Sequence, residues 1–236
     1  MGTAPQVVVV GGGVTGCEAA WRAAELGAAV TLVTTSLDTV YALDGEPESA
    51  WAAPGSLLEA ALEQGARSRW DVHRRAKYAL EARRGVHLLQ STASSLLTQG
   101  SRVAGVETWE GVPRRGGAVA LCVGTFLRAR LRIGAVEERQ GRLSEMAYDD
   151  LGDDLAARGF ELVELAIFVP GAAGSLPHEV RTLVLAASEW TPGDLRLHRL
   201  EGLYAGGACV ARSDGPPGVA ECVAEGMRLG NALGGA

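Results

Sequence analysis

The chain has 236 residues, a net charge of −6, 47% hydrophobic residues and 21% charged residues. This length and balance fit a globular α/β protein with a sizeable core and exclude an intrinsically disordered chain. The negative charge argues against a surface that attracts nucleic acid as a whole. The four cysteines, Cys17, Cys122, Cys209 and Cys222, form no C-x-x-C pair, so no zinc ribbon, dithiol motif or other metal site is expected.

Val7–Val10 is a β-branched run, as expected for a strand buried on both faces. Gly16–Leu26 reads as a helix stopped by Gly27, and Val30–Val33 as a second strand. Residues 36–56 read as irregular. Leu57–Arg84 is a long helical stretch with a break near Gly65, and Val86–Leu89 a short strand. Ser94–Gln99 and Val103–Glu110 flank a turn at Gly100 and alternate like a half-exposed antiparallel ribbon, inserted over about 94–117. Ala118–Val123 is another apolar strand, followed by a polar, Arg-rich stretch at 128–145. Asp149–Arg158 reads as a helix, Phe160–Leu165 and Val180–Ala186 as strands, Leu203–Ala205 as a short strand and Val219–Leu233 as a helix. The expected fold is a Rossmann-type α/β domain with a mostly parallel central sheet and a small antiparallel β-meander, spanning 1–236 as one unit.

Gly11, Gly13 and Gly16 form G-x-G-x-x-G between the first strand and the first helix. The first glycine makes the turn, the second admits a pyrophosphate to the backbone, and the third lets helix and strand approach. Val14 and Thr15 complete the loop, and the helix N-terminus offers free N–H groups. The acid that normally follows the second strand and holds a ribose is absent. Thr34, Thr35 and Ser36 stand there, and Asp38 is the first acid. Hydroxyls or backbone groups must hold the ribose, or Asp38 must reach it; the ribose is assigned to Thr34–Ser36. The apolar run before Gly11 is too short for a signal peptide or a membrane span, so a cytoplasmic protein without membrane attachment is expected.

LEGLYAGGACVARSDGPPGVAECVAEG, Leu200 to Gly226, resembles the C-terminal signature of two-dinucleotide-domain flavoproteins, and AVALCVGT, Ala118 to Thr125, resembles their middle motif. GCEAA, LDT, RVAGVETWEG, VGTFLRARLRIG and GRLSE sharpen this into a resemblance to the GidA/MnmG family of tRNA wobble-uridine modification flavoproteins, whose architecture the folate-dependent tRNA methyltransferase TrmFO shares. The resemblance implies FAD. It implies a cofactor site of Gly11–Gly16, Thr34–Ser36, Ala93, Gly124 and Thr125, the turn Gly206, Gly207 and Ala208, and the helix start Gly218, Val219 and Ala220. The amides of that helix start are expected to stabilise negative charge on the reduced flavin. Cys209 is the thiol expected nearest the flavin, and no catalytic residue is assigned.

The full-length family members carry a nicotinamide-binding insertion and a tRNA-contacting helical region that this chain does not match. They also have a Cys-containing glycine-rich stretch where this chain has YALDGEPESAW. Three readings stay open: an FAD oxidoreductase with an external donor such as NAD(P)H, a non-catalytic flavin-binding subunit acting with a partner in tRNA modification, and an NAD-binding module. A homodimer is compatible with each. The charge does not support tRNA binding, and Trp70, His73 and Tyr78 in the Arg67–Arg84 stretch read as part of a solvated helix.

Overall fold

The computed structural model describes residues 5–170 and 176–235. In chain order these form β1 (Gln6–Val10), α1 (Val14–Glu25), β2 (Ala29–Thr34), α2 (Leu57–Glu63), α3 (Arg69–Ala82) and β3 (Val86–Gln90). There follow β4 (Ala93–Gln99), β5 (Arg102–Thr108), β6 (Pro113–Arg115), β7 (Ala118–Leu121), β8 (Arg130–Ile133), β9 (Val136–Glu138), β10 (Gln140–Arg142) and β11 (Glu145–Met146). The remainder is α4 (Asp149–Ala157), β12 (Leu162–Val169), β13 (His178–Leu185), β14 (Leu203–Ala205) and α5 (Val219–Gly234).

A five-stranded parallel sheet in the order β14-β7-β1-β2-β3 forms the centre. Val7–Val10 are buried between helices and neighbouring strands, which accounts for their uninterrupted apolar run. The expected antiparallel ribbon is a three-stranded sheet, β4-β5-β6. A second antiparallel sheet, β12-β13-β8-β9, and a hairpin, β10-β11, complete the fold.

The helical stretch from Leu57 to Arg84 is two helices, α2 and α3, with the break at Gly65 as expected. Gly65 takes a positive φ of 87° after α2, and Ser68 with Asp71 forms a capping box that starts α3 afresh. The Arg-rich segment 128–145 is β8 to β11. Its charges, Arg130, Arg132, Glu137 and Glu138, lie on short strands paired far along the chain, β8 with β13.

Helix α5 lies against α1 along a stripe of glycines. A Cβ at Gly226 would sit 2.4 Å from Glu18 Cβ and 2.6 Å from the Thr15 carbonyl oxygen. One at Gly230 would sit 2.4 Å from Arg22 Cβ, and one at Gly234 would sit 2.7 Å from Leu26 Cβ. Arg22 Nε donates to Asn231 Oδ1 at 2.7 Å at the edge of this contact. Gly226→Ala forces the two backbones apart. It is expected to cost about 3 kcal/mol, read as a lowered denaturant midpoint with an unchanged slope.

Candidate functional site

A parallel sheet places its ligand outside the carboxyl ends of its strands, where the strand order switches direction. Here that point lies between β1 and β7, and the chain builds a cavity of about 80 Å³ there. Gly11, Gly12 and Gly13 form one wall, Thr34 and Thr35 at the end of β2 a second, and Cys122, Val123 and Gly124 after β7 a third. Thr39 and Ala42 close it from the loop after β2. Arg142 and Glu145 close it from the β10-β11 hairpin.

The three motif glycines have different physical roles. Gly11 has φ 111°, and a Cβ on it would lie 2.1 Å from the Cys122 carbonyl oxygen, so the crossing of β1 and β7 requires glycine. A Cβ on Gly16 would lie 1.9 Å from the Gly11 carbonyl oxygen. Gly13 caps α1 with an ordinary φ of −74°, and a Cβ there would meet nothing within 4 Å. The turn is therefore closed on its inner side and open above Gly13. This open cradle at a helix N-terminus fits a pyrophosphate, which backbone N–H groups and the positive helix end can bind.

The loop after β2 is stitched onto the glycine turn. The Tyr41 N–H donates to the Gly12 carbonyl at 2.8 Å, and the Cys17 thiol donates to the same oxygen at 3.1 Å. Tyr41 holds a φ of 56°, and its buried hydroxyl donates to Glu18 Oε1 at 2.5 Å. Glu18 also accepts the Leu57 and Leu58 N–H groups at 2.8 and 3.0 Å, so its carboxylate caps α2 as well. Burial pushes the Glu18 carboxyl up to about 7, against the opposing pull of these three donors.

Of the residues expected to hold a cofactor, Gly11, Gly13, Thr34, Thr35 and Gly124 line this one cavity. Val14, Thr15 and Gly16 form the first turn of α1 behind it. Gly206, Gly207 and Ala208 follow β14 and abut that turn, since a Cβ at Gly207 would lie 2.8 Å from Thr15 Oγ1. The Gly207 N–H donates to buried Glu225 at 2.8 Å, and Arg212 pairs with the same carboxylate at 2.7 Å, which fixes the turn. Gly218, Val219 and Ala220 begin α5, but Glu221 already accepts the Gly218 N–H at 2.8 Å. Ser36, Ala93 and Thr125 do not line the cavity. Ala93 is buried at the start of β4, paired with Thr108.

Cys209 is not the thiol nearest the cavity. Its Sγ donates to the Leu121 and Gly206 carbonyls inside the core, and burial pushes it up to about 12. Cys122 lines the cavity instead, and burial raises its thiol as well. Sequence reasoning also missed Thr39, Phe126, Arg142, Glu145 and Tyr148, all of which line the cavity. Thr39 and Glu145 close the LDT and GRLSE stretches, which was the available signal.

A larger depression of about 870 Å³ lies at the opposite end of the central sheet. Its arginines are already committed: Arg102 to Glu201, Arg196 to Asp194 and Arg199 to Glu189. Among the described residues no cluster of side chains could hold a metal ion, and no helix is long and apolar enough to cross a membrane.

A parallel sheet with a glycine turn at its switch point, a second glycine turn after β14 and a helix start beyond it define a Rossmann-type dinucleotide-binding flavoprotein fold. The family model described as Glucose inhibited division protein A matches residues 6–65 and 58–171. The chain is 34% identical over 194 residues to the tRNA uridine 5-carboxymethylaminomethyl modification enzyme MnmG of Chlamydia trachomatis serovar A, a match covering 70% of this chain and 32% of that protein. It thus spans about a third of the length of the curated relatives it matches. The crystal structure of the GidA-related protein from Thermus thermophilus superposes with a TM-score of 0.85 at 45% identity, covering 98% of both chains. Aquifex aeolicus GidA shares the fold, with a TM-score of 0.86 at 16% identity over 98% of this chain and 63% of that one. The chain belongs to the GidA family and is a GidA-related FAD-binding flavoprotein.

Proposed function

We propose that the chain is an oxidoreductase that works as one FAD-binding domain and exchanges electrons with an external donor such as NAD(P)H. The observation that carries the cofactor assignment is the open space above Gly13, at the N-terminus of α1 and the switch point of the sheet. In this reading Gly11–Gly16 hold the pyrophosphate, with Thr34 and Thr35 beside the adenosine. Gly124, Thr125 and Gly206–Ala208 support the rest of the cofactor, and the free N–H groups of Val219 and Ala220 face the flavin. Bound FAD supplies hydride and electron transfer. The protein's own part is to bind and orient it.

A second reading has one specific support. The match covers only 32% of a relative named as a tRNA-modification enzyme, so in this reading these 236 residues supply the flavin site and the rest of that activity lies outside them. In that case the protein is a flavin-binding subunit, and a homodimer or a partner protein accompanies it. An NAD-binding module is the third reading, and the released nucleotide separates it from the other two.

The test is the visible spectrum of the purified protein and identification of the nucleotide released on denaturation. Yellow protein releasing FAD is expected, with bleaching by NADH under anaerobic conditions. FAD without bleaching supports the subunit reading. Colourless protein that does not take up FAD overturns the cofactor assignment.

A further inference from the structure

No acid stands at the end of β2, where Thr34, Thr35 and Ser36 follow one another. Thr34 Oγ1 gives its proton to the Ser36 carbonyl at 3.2 Å, and Ser36 Oγ accepts from the Asp38 N–H at 3.1 Å. Neither Ser36 nor Asp38 lines the cavity. The Thr34 and Ser36 hydroxyls are thus engaged with nearby backbone, while Thr35 lines the cavity.

Glu145 is the one carboxylate among the described residues lining the cavity, and it is 7% exposed. It reaches the ends of β1 and β2 from the β10-β11 hairpin, 106 positions from Thr39. Its Oε2 accepts from Thr39 Oγ1 at 3.0 Å, while its Oε1 has only Arg142 at 3.5 Å. A carboxylate has about four acceptor positions, so this one retains capacity toward the cavity. Arg142, the only cation among those same lining residues, also leans on Asp44 at 3.6 Å and holds the hairpin over the glycine turn.

We propose that Glu145 takes the place of the missing acid and accepts hydrogen bonds from the adenosine ribose of the dinucleotide. The assignment rests on the cofactor reading above. The chemistry selects the ribose because a carboxylate repels the phosphates and accepts from hydroxyls. At the carboxyl end of β2 the cis-diol is the paired donor that a dinucleotide offers. Thr39 orients the carboxylate, and Arg142 offsets its charge against the pyrophosphate.

The experiment compares wild-type apoprotein with Glu145→Gln and Glu145→Ala by calorimetric titration with FAD, ADP and 2′,3′-dideoxy-ADP. A hydrogen bond to a charged acceptor corresponds to roughly tenfold or more in affinity. Wild type should bind ADP about tenfold or more tightly than the dideoxy analogue. That ratio should fall to about twofold or less in Glu145→Ala, with FAD weakened to a similar degree. Equal wild-type affinity for the two ADP forms overturns the proposal even where FAD binds, and so does a variant that keeps the wild-type ratio. Failure of wild type to bind both FAD and ADP overturns the cofactor reading itself. Glu145→Gln keeps the size of the side chain, so its ratio reports on charge if the alanine variant folds poorly.

Discussion

Gly13→Glu is expected to yield folded, colourless protein. Gly13 has a φ open to any L-residue, and a Cβ there points into empty space. Replacing this N-cap glycine costs the fold about 1 kcal/mol or less. The new carboxylate stands where the pyrophosphate is proposed to lie, at the positive end of α1. Repulsion and steric overlap together should weaken FAD by about a hundredfold or more. Gly11→Ala should also be colourless, but for a different reason. Its Cβ overlaps the Cys122 carbonyl and its φ is left-handed, so the fold itself loses about 3 kcal/mol or more. Visible absorption and denaturant unfolding, measured together, separate the two cases. A Gly13→Glu protein that purifies with full flavin would remove the pyrophosphate from this turn.

The second large effect concerns Glu18. The folded protein holds the Glu18 proton more tightly than the unfolded chain, because burial lifts the carboxyl from about 4.5 to about 7. Below about pH 4.5 both states are protonated and this contribution is fully present. Between pH 4.5 and 7 the folded state binds more protons, so stability falls as pH rises, by about 3 kcal/mol in all. Subtracting the Glu18→Gln profile of stability against pH from that of wild type should isolate this slope. Glu18→Ala removes the slope and also leaves the Tyr41 hydroxyl and the Leu57 and Leu58 N–H groups without an acceptor. That should cost about 3 kcal/mol at pH 5. Parallel profiles for wild type and Glu18→Gln between pH 4.5 and 7 would show that Glu18 does not titrate there.

The parts of the fold that the sequence makes legible are those in which local pattern and tertiary role coincide. Val7–Val10 is apolar because it is buried on both faces, and Gly11–Gly16 is glycine-rich because backbone must pass close to backbone. The break between α2 and α3 was partly legible, since Ser68-Arg-Trp-Asp71 carries the capping box in its letters. Strands β8 and β9 were not. They are four and three residues long and rich in charge, and β13, the partner of β8, comes much later in the chain. The cavity shows the same division. Its glycine wall is written in one stretch of chain, whereas Thr39, Arg142 and Glu145 come together only after the hairpin folds back over the β2 loop.

The glycine stripe that seats α5 on α1 also governs how the chain can acquire its structure. Arg22 and Asn231, partners across that contact, are separated by 209 positions. The outer face of the first helix is therefore covered only by residues synthesised long after it. On a ribosome, β1, α1 and β2 emerge early but cannot bury that face until α5 has left the exit tunnel. Closure of so long a loop makes folding slow and leaves Thr15, Ala19 and Arg22 open to mispairing meanwhile. The glycine turn and the helix that locks it in place thus mature as a single late event in the life of the chain.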